Sequence, residues 1–313
     1  MEILDLRHFG SADLRGLLDE ESEHWLSLLS WDYRGSAEMI LRYIDAKILP
    51  GYAAIERGKL LGYCFFVYEG AKGVIGDVFV EAALGERRRE IEDELLTHVI
   101  DTLQQSPGIH RIEAQLLLHA SGVAAASFMG EGFRRFPRLF LRMPMGTAKW
   151  TAAPLPEEFE IRPWQEADYQ PAAGIITSAY RSHVDSDIND QYRSMTGSLR
   201  FLNNIVRFPG CGVFDAPSSF TVHHQPSRSI IGVLLCSRVR DDVGHITQVC
   251  VLPEYRNRHL GEHLIERCHD ALAVTGGRHL TLTVTEANAR AVALYRRLGF
   301  EQHCIFDAFV WEG

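Results

Sequence analysis

At 313 residues the chain has the length of two ordinary domains and would be strained as one. Its 46% hydrophobic and 23% charged residues exclude a disordered or fibrous chain, and no apolar stretch approaches the roughly 20 residues of a membrane span. With 32 basic against 41 acidic residues, a net charge of −9 and no basic run beyond Arg87, Arg88 and Arg89, a nucleic-acid partner is disfavoured, because neutralising phosphates takes a clustered basic face.

In chain order, alternation predicts a strand over 3–9, helical patterns between 13 and 48, and strands over 51–56, 60–68 and 74–80. A long amphipathic helix over 86–105 follows, then a strand over 111–117, a short Ala-rich helix closing at Gly132-Phe133, and a strand over 138–143. Residues 146–158 carry two prolines and no apolar periodicity, so they read as a linker between domains at 1–145 and 159–313. The second half repeats the order. A strand over 159–163 and helices over 166–180 and 190–201 precede strands over 212–215, 220–223, 230–238 and 245–252. Then come a helix over 260–274, a strand over 279–285, a helix over 287–298 and a closing strand over 304–310. The repeat implies an internal duplication, each half an α+β domain with a central mixed, mostly antiparallel β-sheet flanked by helices.

The opening Met1-Glu2-Ile3-Leu4-Asp5 lacks a basic flank and apolar leader, so a soluble, cytoplasmic protein that meets no membrane is expected. Six cysteines, at 64, 211, 236, 250, 268 and 304, form no CxxC pair, and Cys64, Cys236 and Cys250 sit in apolar runs. They read as reduced core residues, with neither a metal site nor a disulfide scaffold.

Chemistry concentrates in Val251-Leu-Pro-Glu-Tyr-Arg256-Asn-Arg-His259-Leu-Gly261-Glu262. An apolar strand stops at Pro253, basic residues fill a turn, and a helix opens at Leu260. Free N–H groups and the positive helix end then converge on one point, an anion site suited to a pyrophosphate. The bland alternative is an ordinary corner with a solvated arginine pair. A second block, Asn288-Ala-Arg-Ala291-Val-Ala-Leu294-Tyr295-Arg-Arg-Leu-Gly299-Phe300, begins a helix directly after a strand.

The two blocks together resemble the GNAT superfamily of acyl-CoA-dependent N-acyltransferases. Arg256-x-x-His259-x-Gly261 fills the family's (Gln or Arg)-x-x-Gly-x-(Gly or Ala) loop, with His259 replacing the first glycine. Asn-x-x-Ala-x-x-Leu-Tyr-x-x-x-Gly-Phe is matched at every named position from Asn288 to Phe300. The likeness spans 159–313, and the first half resembles a degenerate copy, since its corner carries Glu86, Glu90, Glu92 and Glu94 and its last motif keeps neither the Asn nor the Leu-Tyr pair.

The resemblance implies acetyl-CoA, or another short acyl-CoA, as co-substrate, and transfer of the acyl group to a primary amine by direct attack. Val249, Cys250 and Val251 would contact the pantetheine, Arg256, Asn257, Arg258, His259, Leu260, Gly261 and Glu262 would cradle the pyrophosphate, and Asn288 would orient the cofactor. Tyr295 would be the general acid, and a core aromatic is its bland alternative. By the position of the glutamate base in several members, His245, eleven residues before Arg256, is the expected base or water-positioner, ahead of Asp241, Asp242 and His183, although many members use only an ordered water. The wall opposite the acyl group, expected over 167–208, offers Tyr180, His183, Asp185, Asp187 and Tyr192 to a cationic amine, a small molecule first and a protein N-terminus as the alternative, or else is a polar loop with Asp caps. The alternative function is a non-catalytic acyl-CoA sensor or partner-binding module, and a monomer and a homodimer are equally compatible with the sequence.

Overall fold

The computed structural model describes residues 1–207 and 212–313, so Phe208 and Cys211 lie outside the described residues. The chain forms two compact units, Met1–Arg138 with Ile305–Gly313, and Leu139–Cys304.

In the first unit β1 (Glu2–Asp5) is shorter than the expected strand, because the Asp5 carboxylate accepts the Arg7 N–H and turns Leu6–His8 into a single 3-10 turn. The helical stretch splits into α1 (Ser11–Leu29) and α2 (Arg34–Asp45), since Ser30 adopts the left-handed conformation at φ 59° and ends the first helix. Strands β2 (Gly51–Glu56), β3 (Lys59–Glu69) and β4 (Lys72–Val80) follow as an antiparallel meander that begins with β1. Helix α3 (Arg87–Gln105) buries Ile91, Leu95, Val99 and Leu103 on this sheet and returns the chain to β5 (Arg111–Gln115), parallel to β4. Helix α4 (Ala125–Met129) and strand β6 (Arg134–Pro144) complete the first half of the chain.

The second unit repeats the order with β7 (Phe159–Pro163), α5 (Tyr169–Ala179), α6 (Val184–Ile188), α7 (Met195–Arg207) and the short β8 (Val213–Phe214). Helix α6 lies where the sequence reads as a polar loop, too short for a periodic signal. Strands β9 (Phe220–His224), β10 (Ser229–Arg240) and β11 (Val243–Val251) are antiparallel neighbours, and β7 flanks β9. Helix α8 (Leu260–Val274) then leads to β12 (His279–Thr285), parallel to β11, and α9 (Ala289–Leu298) leads to β13 (Glu301–Glu312). The apolar face of α5, with Leu202 and Ile205 of α7, covers Val233 and Leu235 of β10.

Two features depart from a sequential reading. Ala308–Glu312 of β13 pair antiparallel with Gln115–Arg111 of β5, so the end of the chain closes the first unit's sheet. Residues 146–158 have neither helix nor strand, yet they are bound rather than loose: Lys149 donates its N–H to Leu298 O (3.0 Å), and Thr151 and Ala152 donate theirs to one oxygen of Glu262 (2.6 and 2.9 Å).

The duplication is also visible in one irregularity. Strand β4 places Gly76 and Asp77 opposite Phe65, and β11 inserts Thr247 between the pairs Leu235↔Gln248 and Cys236↔Ile246, so the strand before the crossover helix is bulged in both units.

Candidate active site

The bulge opens the site. Strands β11 and β12 pair only over Val243–Ile246 and His279–Leu282, although both run further, and beyond the bulge they splay apart. The Thr247 hydroxyl donates to Leu235 O (3.2 Å), holding the irregularity to β10. Residues 247–251 and 283–284 thus face a cleft of about 740 Å³ instead of each other, with an edge of β11 that has lost its strand partner. That volume lies within the range of sites for cofactor-sized ligands.

Pro253 ends β11 and a 3-10 turn over Pro253–Tyr255 swings the chain toward α8. His259 is the N-cap of α8 at φ 59°, and Asn257 is also left-handed at φ 65°. Asparagine tolerates this region readily and histidine less so. The side chain that replaces the usual glycine at 259 is turned to the Glu262 carboxylate, with Nδ1 3.3 Å from Oε2. The loop's cations are engaged in fixing the loop, Arg256 donating to Ala179 O (2.7 Å) and Arg258 to Glu158 (2.7 Å), and Arg290 of α9 donates to Asn257 Oδ1 (2.5 Å). Arg258 also lies over the Phe159 and Tyr255 rings, each at 5.6 Å. What remains for an anion is the start of α8 at Leu260 and Gly261, where helical N–H groups have no carbonyl partner.

Glu262 lies one residue further on, with its side chain only 1% exposed. Burial pushes its carboxyl up, but the Thr151 and Ala152 N–H groups, the Thr151 hydroxyl and His259 outweigh that and hold it down at about 2. Arg297 of α9 adds an ion pair at 3.1 Å. Glu262 is therefore an anchor for the loop and for residues 151–152, and its carboxylate is saturated by protein partners.

At the other end of the cleft, Asn288 caps α9 by accepting the Ala291 N–H at Oδ1 (3.3 Å). Tyr295, two turns on, is 8% exposed, and its ring meets Phe300 edge-on at 5.8 Å. Burial and the nearby Asp185 and Cys250 push its phenol well above the usual range, so it stays protonated at neutral pH. Among the described residues its hydroxyl has no hydrogen-bond partner, so it is available to a ligand. Burial likewise pushes the Cys250 thiol up to about 12, which rules out a thiolate nucleophile at neutral pH.

The structure brings together Val249, Cys250, Val251, Arg256, Asn257, His259, Leu260, Gly261, Glu262, Asn288 and Tyr295 around one cleft, with Tyr180, His183 and Asp185 on its far wall. It does not bring Asp187, Tyr192 or Arg258 to the lining. Asp187 is 49% exposed and pairs with Arg193 at 3.7 Å, whereas Tyr192 stacks behind Tyr180 at 4.4 Å. His245 also stays off the lining: it is 5% exposed, its ring lies on Phe140 at 5.9 Å, and its Nδ1 is 2.9 Å from Thr281 Oγ1. It sits in the part of β11 that is still paired with β12, ahead of the bulge, so the cleft opens beyond its reach.

One lining residue escaped the sequence reading. Gln248, 4% exposed, accepts the Tyr180 hydroxyl at Oε1 (3.0 Å), while its Nε2 is buried without a hydrogen-bond partner among the described residues. A buried donor left unpaired costs about 1–3 kcal/mol. Its signal was a polar amide inside the apolar run Ile246-Thr-Gln-Val-Cys-Val.

The corresponding residue of the first unit is Asp77, which lies within the bulge of β4, two residues after the paired Ile75 as Gln248 is two after Ile246. Asp77 and Glu21 are buried against each other, burial pushing both carboxyls up, Glu21 to about 7, and Tyr63 donates to Glu21. The following corner carries Glu92, buried against Arg88 (2.7 Å) and His119 (3.5 Å), and Leu116 and Leu118 are buried in the segment after β5. Carboxyls and leucines thus occupy the region in which the second unit has its cleft.

Among the described residues no helix is long and apolar enough to cross a membrane. The sequence profile of the acetyltransferase (GNAT) family matches residues 186–300. The chain is 35% identical over 68 residues to the streptothricin acetyltransferase of Streptomyces lavendulae. That match covers 22% of this chain and spans about a third of the relative's length, 35%. Among solved structures, a tandem GNAT protein from the clavulanic acid biosynthesis pathway superposes with a TM-score of 0.59 at 14% identity, covering 99% of this chain and 98% of that one. A GCN5-related N-acetyltransferase from Sphaerobacter thermophilus gives 0.59 at 16% identity, covering 92% and 91%. At such identities the likeness is one of fold.

Proposed function

We propose that this protein is an acetyl-CoA-dependent N-acetyltransferase acting on a primary amine of a small molecule, a reading supported by the match of residues 186–300 to the acetyltransferase (GNAT) family profile. The observation that carries the reading is the cleft between the splayed strands. It has a helix N-terminus at one end and, at the other, a buried phenol whose hydroxyl no described residue occupies. The start of α8 would hold the pyrophosphate through the N–H groups of Leu260 and Gly261, and the free edge of β11 at Val249–Val251 would hold the pantetheine arm. The co-substrate supplies an acetyl group activated as a thioester. Tyr295, neutral at working pH, gives its proton to the departing sulfur, and the apolar walls of Val249, Val284 and Leu294 exclude water from competing with the amine. The relative from Streptomyces lavendulae is named for acetylating streptothricin, which supports an amine on a small molecule as the acceptor class.

Release of free thiol from acetyl-CoA, followed with a thiol reagent across a panel of primary amines, tests the reading. Amine-dependent release is expected. Tight acetyl-CoA binding with no release above spontaneous hydrolysis for any amine would identify an acyl-CoA sensor instead.

A further inference from the structure

The start of α8 suits an anion, yet the far wall of the same cleft carries a carboxylate. Among the described residues two carboxyl side chains line the cleft, and Glu262 is saturated by Thr151, Ala152, His259 and Arg297. The other, Asp185, lies in the first turn of α6 with its side chain 15% exposed. Its Oδ1 accepts the Thr285 hydroxyl, from the end of β12, which fixes the carboxylate in place. Its Oδ2 is 3.5 Å from His183 Nδ1, but that nitrogen accepts the Asp185 backbone N–H (3.2 Å), so the neutral ring carries its proton on Nε2 and offers Oδ2 no donor. Among the described residues no lysine or arginine pairs with Asp185. The three arginines on the lining are bonded elsewhere, Arg256 to Ala179 O, Arg290 to Asn257 and Arg297 to Glu262.

A carboxylate set into a largely enclosed wall loses hydration, and a folded chain ordinarily answers it with a cation or with donors at both oxygens. Asp185 has a donor at one oxygen only. We infer that Asp185 is the docking point for a cationic group of the acceptor, and that the acceptor is a diamine: one amine attacks the acetyl group while a second, as its ammonium, is held at Oδ2. This rests on the acetyltransferase reading and narrows its substrate class.

The two roles need two nitrogens. An ion pair with Asp185 favours the charged form of an amine, whereas attack on the thioester needs a free lone pair. The reacting nitrogen therefore lies off Asp185, and the ammonium held there keeps all of its protons. As the C–N bond forms and the C–S bond breaks, the sulfur takes a proton from Tyr295, and the proton that the attacking amine loses restores Tyr295 through solvent. The Asp185 charge is felt by the Tyr295 and Tyr180 phenols, so the docking point and the proposed proton donor share one end of the cleft.

Turnover of a series of α,ω-diaminoalkanes, each against the monoamine of the same chain length, tests the proposal on the full-length protein. In the wild type at least one diamine is expected to exceed its monoamine in kcat/KM by about tenfold or more, a preference that added salt weakens. Asp185→Asn removes the charge and keeps an oxygen that can accept the Thr285 hydroxyl. It should lower the ratio by about 10–100-fold, chiefly through the KM of the diamine, whereas Asp185→Glu, which keeps the charge, retains part of it. No diamine preference at any length, an equal loss for both amines in Asp185→Asn, or a preference lost equally in Asp185→Asn and Asp185→Glu would overturn the proposal. A wild type that turns over no amine counts against the acetyltransferase reading alone, and calorimetric titration of the same diamines, with free CoA present, then reads the docking point directly. Binding that Asp185→Asn weakens at least about tenfold is expected. No binding by the wild type, or binding that Asp185→Asn leaves intact, would overturn it.

Discussion

Tyr295→Phe is expected to lower kcat by about 10²–10⁴ while acetyl-CoA affinity stays within about twofold of wild type. The substitution removes one oxygen and keeps the ring that meets Phe300 at 5.8 Å, so the packing of α9 is retained. No described residue uses the hydroxyl as a hydrogen-bond partner, so its deletion leaves no protein group unsatisfied. What is lost is a proton donor at a position where burial and the Asp185 charge keep the phenol neutral. A split between rate and affinity follows, because the proton is needed only as the thiol departs. Steady-state kinetics with calorimetry on the same preparation checks it: affinity that falls in step with rate would make Tyr295 a structural aromatic.

Glu262→Gln is expected to destabilise the protein by about 2–3 kcal/mol at neutral pH, a large effect for one isosteric change. The carboxylate accepts from Thr151 and Ala152 and pairs with His259 and Arg297, and an amide keeps the shape but cannot serve as an acceptor at both ends. The folded state holds this carboxyl at about 2 against 4.5 for an unperturbed glutamate. A depressed value stabilises the fold above the unfolded pKa, and that stabilisation is lost as pH falls from about 4.5 towards about 2. Denaturant unfolding at a series of pH values should therefore show a smaller loss of stability across that window in Glu262→Gln than in wild type. Identical slopes would mean that residues 151–152 are held by other contacts.

Most of the element order was legible because the signals were local. Pro253 and the opening of α8 at Leu260, the Asn288 cap and the left-handed Gly299 at φ 103° mark their own ends. The Asn288 to Phe300 block located Tyr295 because its spacing is fixed by one helix. Two features had no local signal. The bulge at Thr247 is a property of two strands in register, and it decides which residues of β11 reach the cleft. Counting back from Arg256 reached His245, which lies ahead of the bulge in the paired part of β11. The swap of β13 into the first unit's sheet was equally invisible, since 305–313 alternate as any strand would and pair with residues about 200 positions away.

Calorimetric titration of acetyl-CoA into the full-length protein and into Gly261→Glu is the most direct test of a single acyl-CoA cleft in the second unit. A side chain at Gly261 meets open space and leaves α8 intact, yet it sets a carboxylate at the helix N-terminus proposed to hold the pyrophosphate. One site per chain is expected in the wild type, with affinity lowered at least about tenfold in the variant. Two equivalent sites, or an affinity untouched by Gly261→Glu, would contradict it.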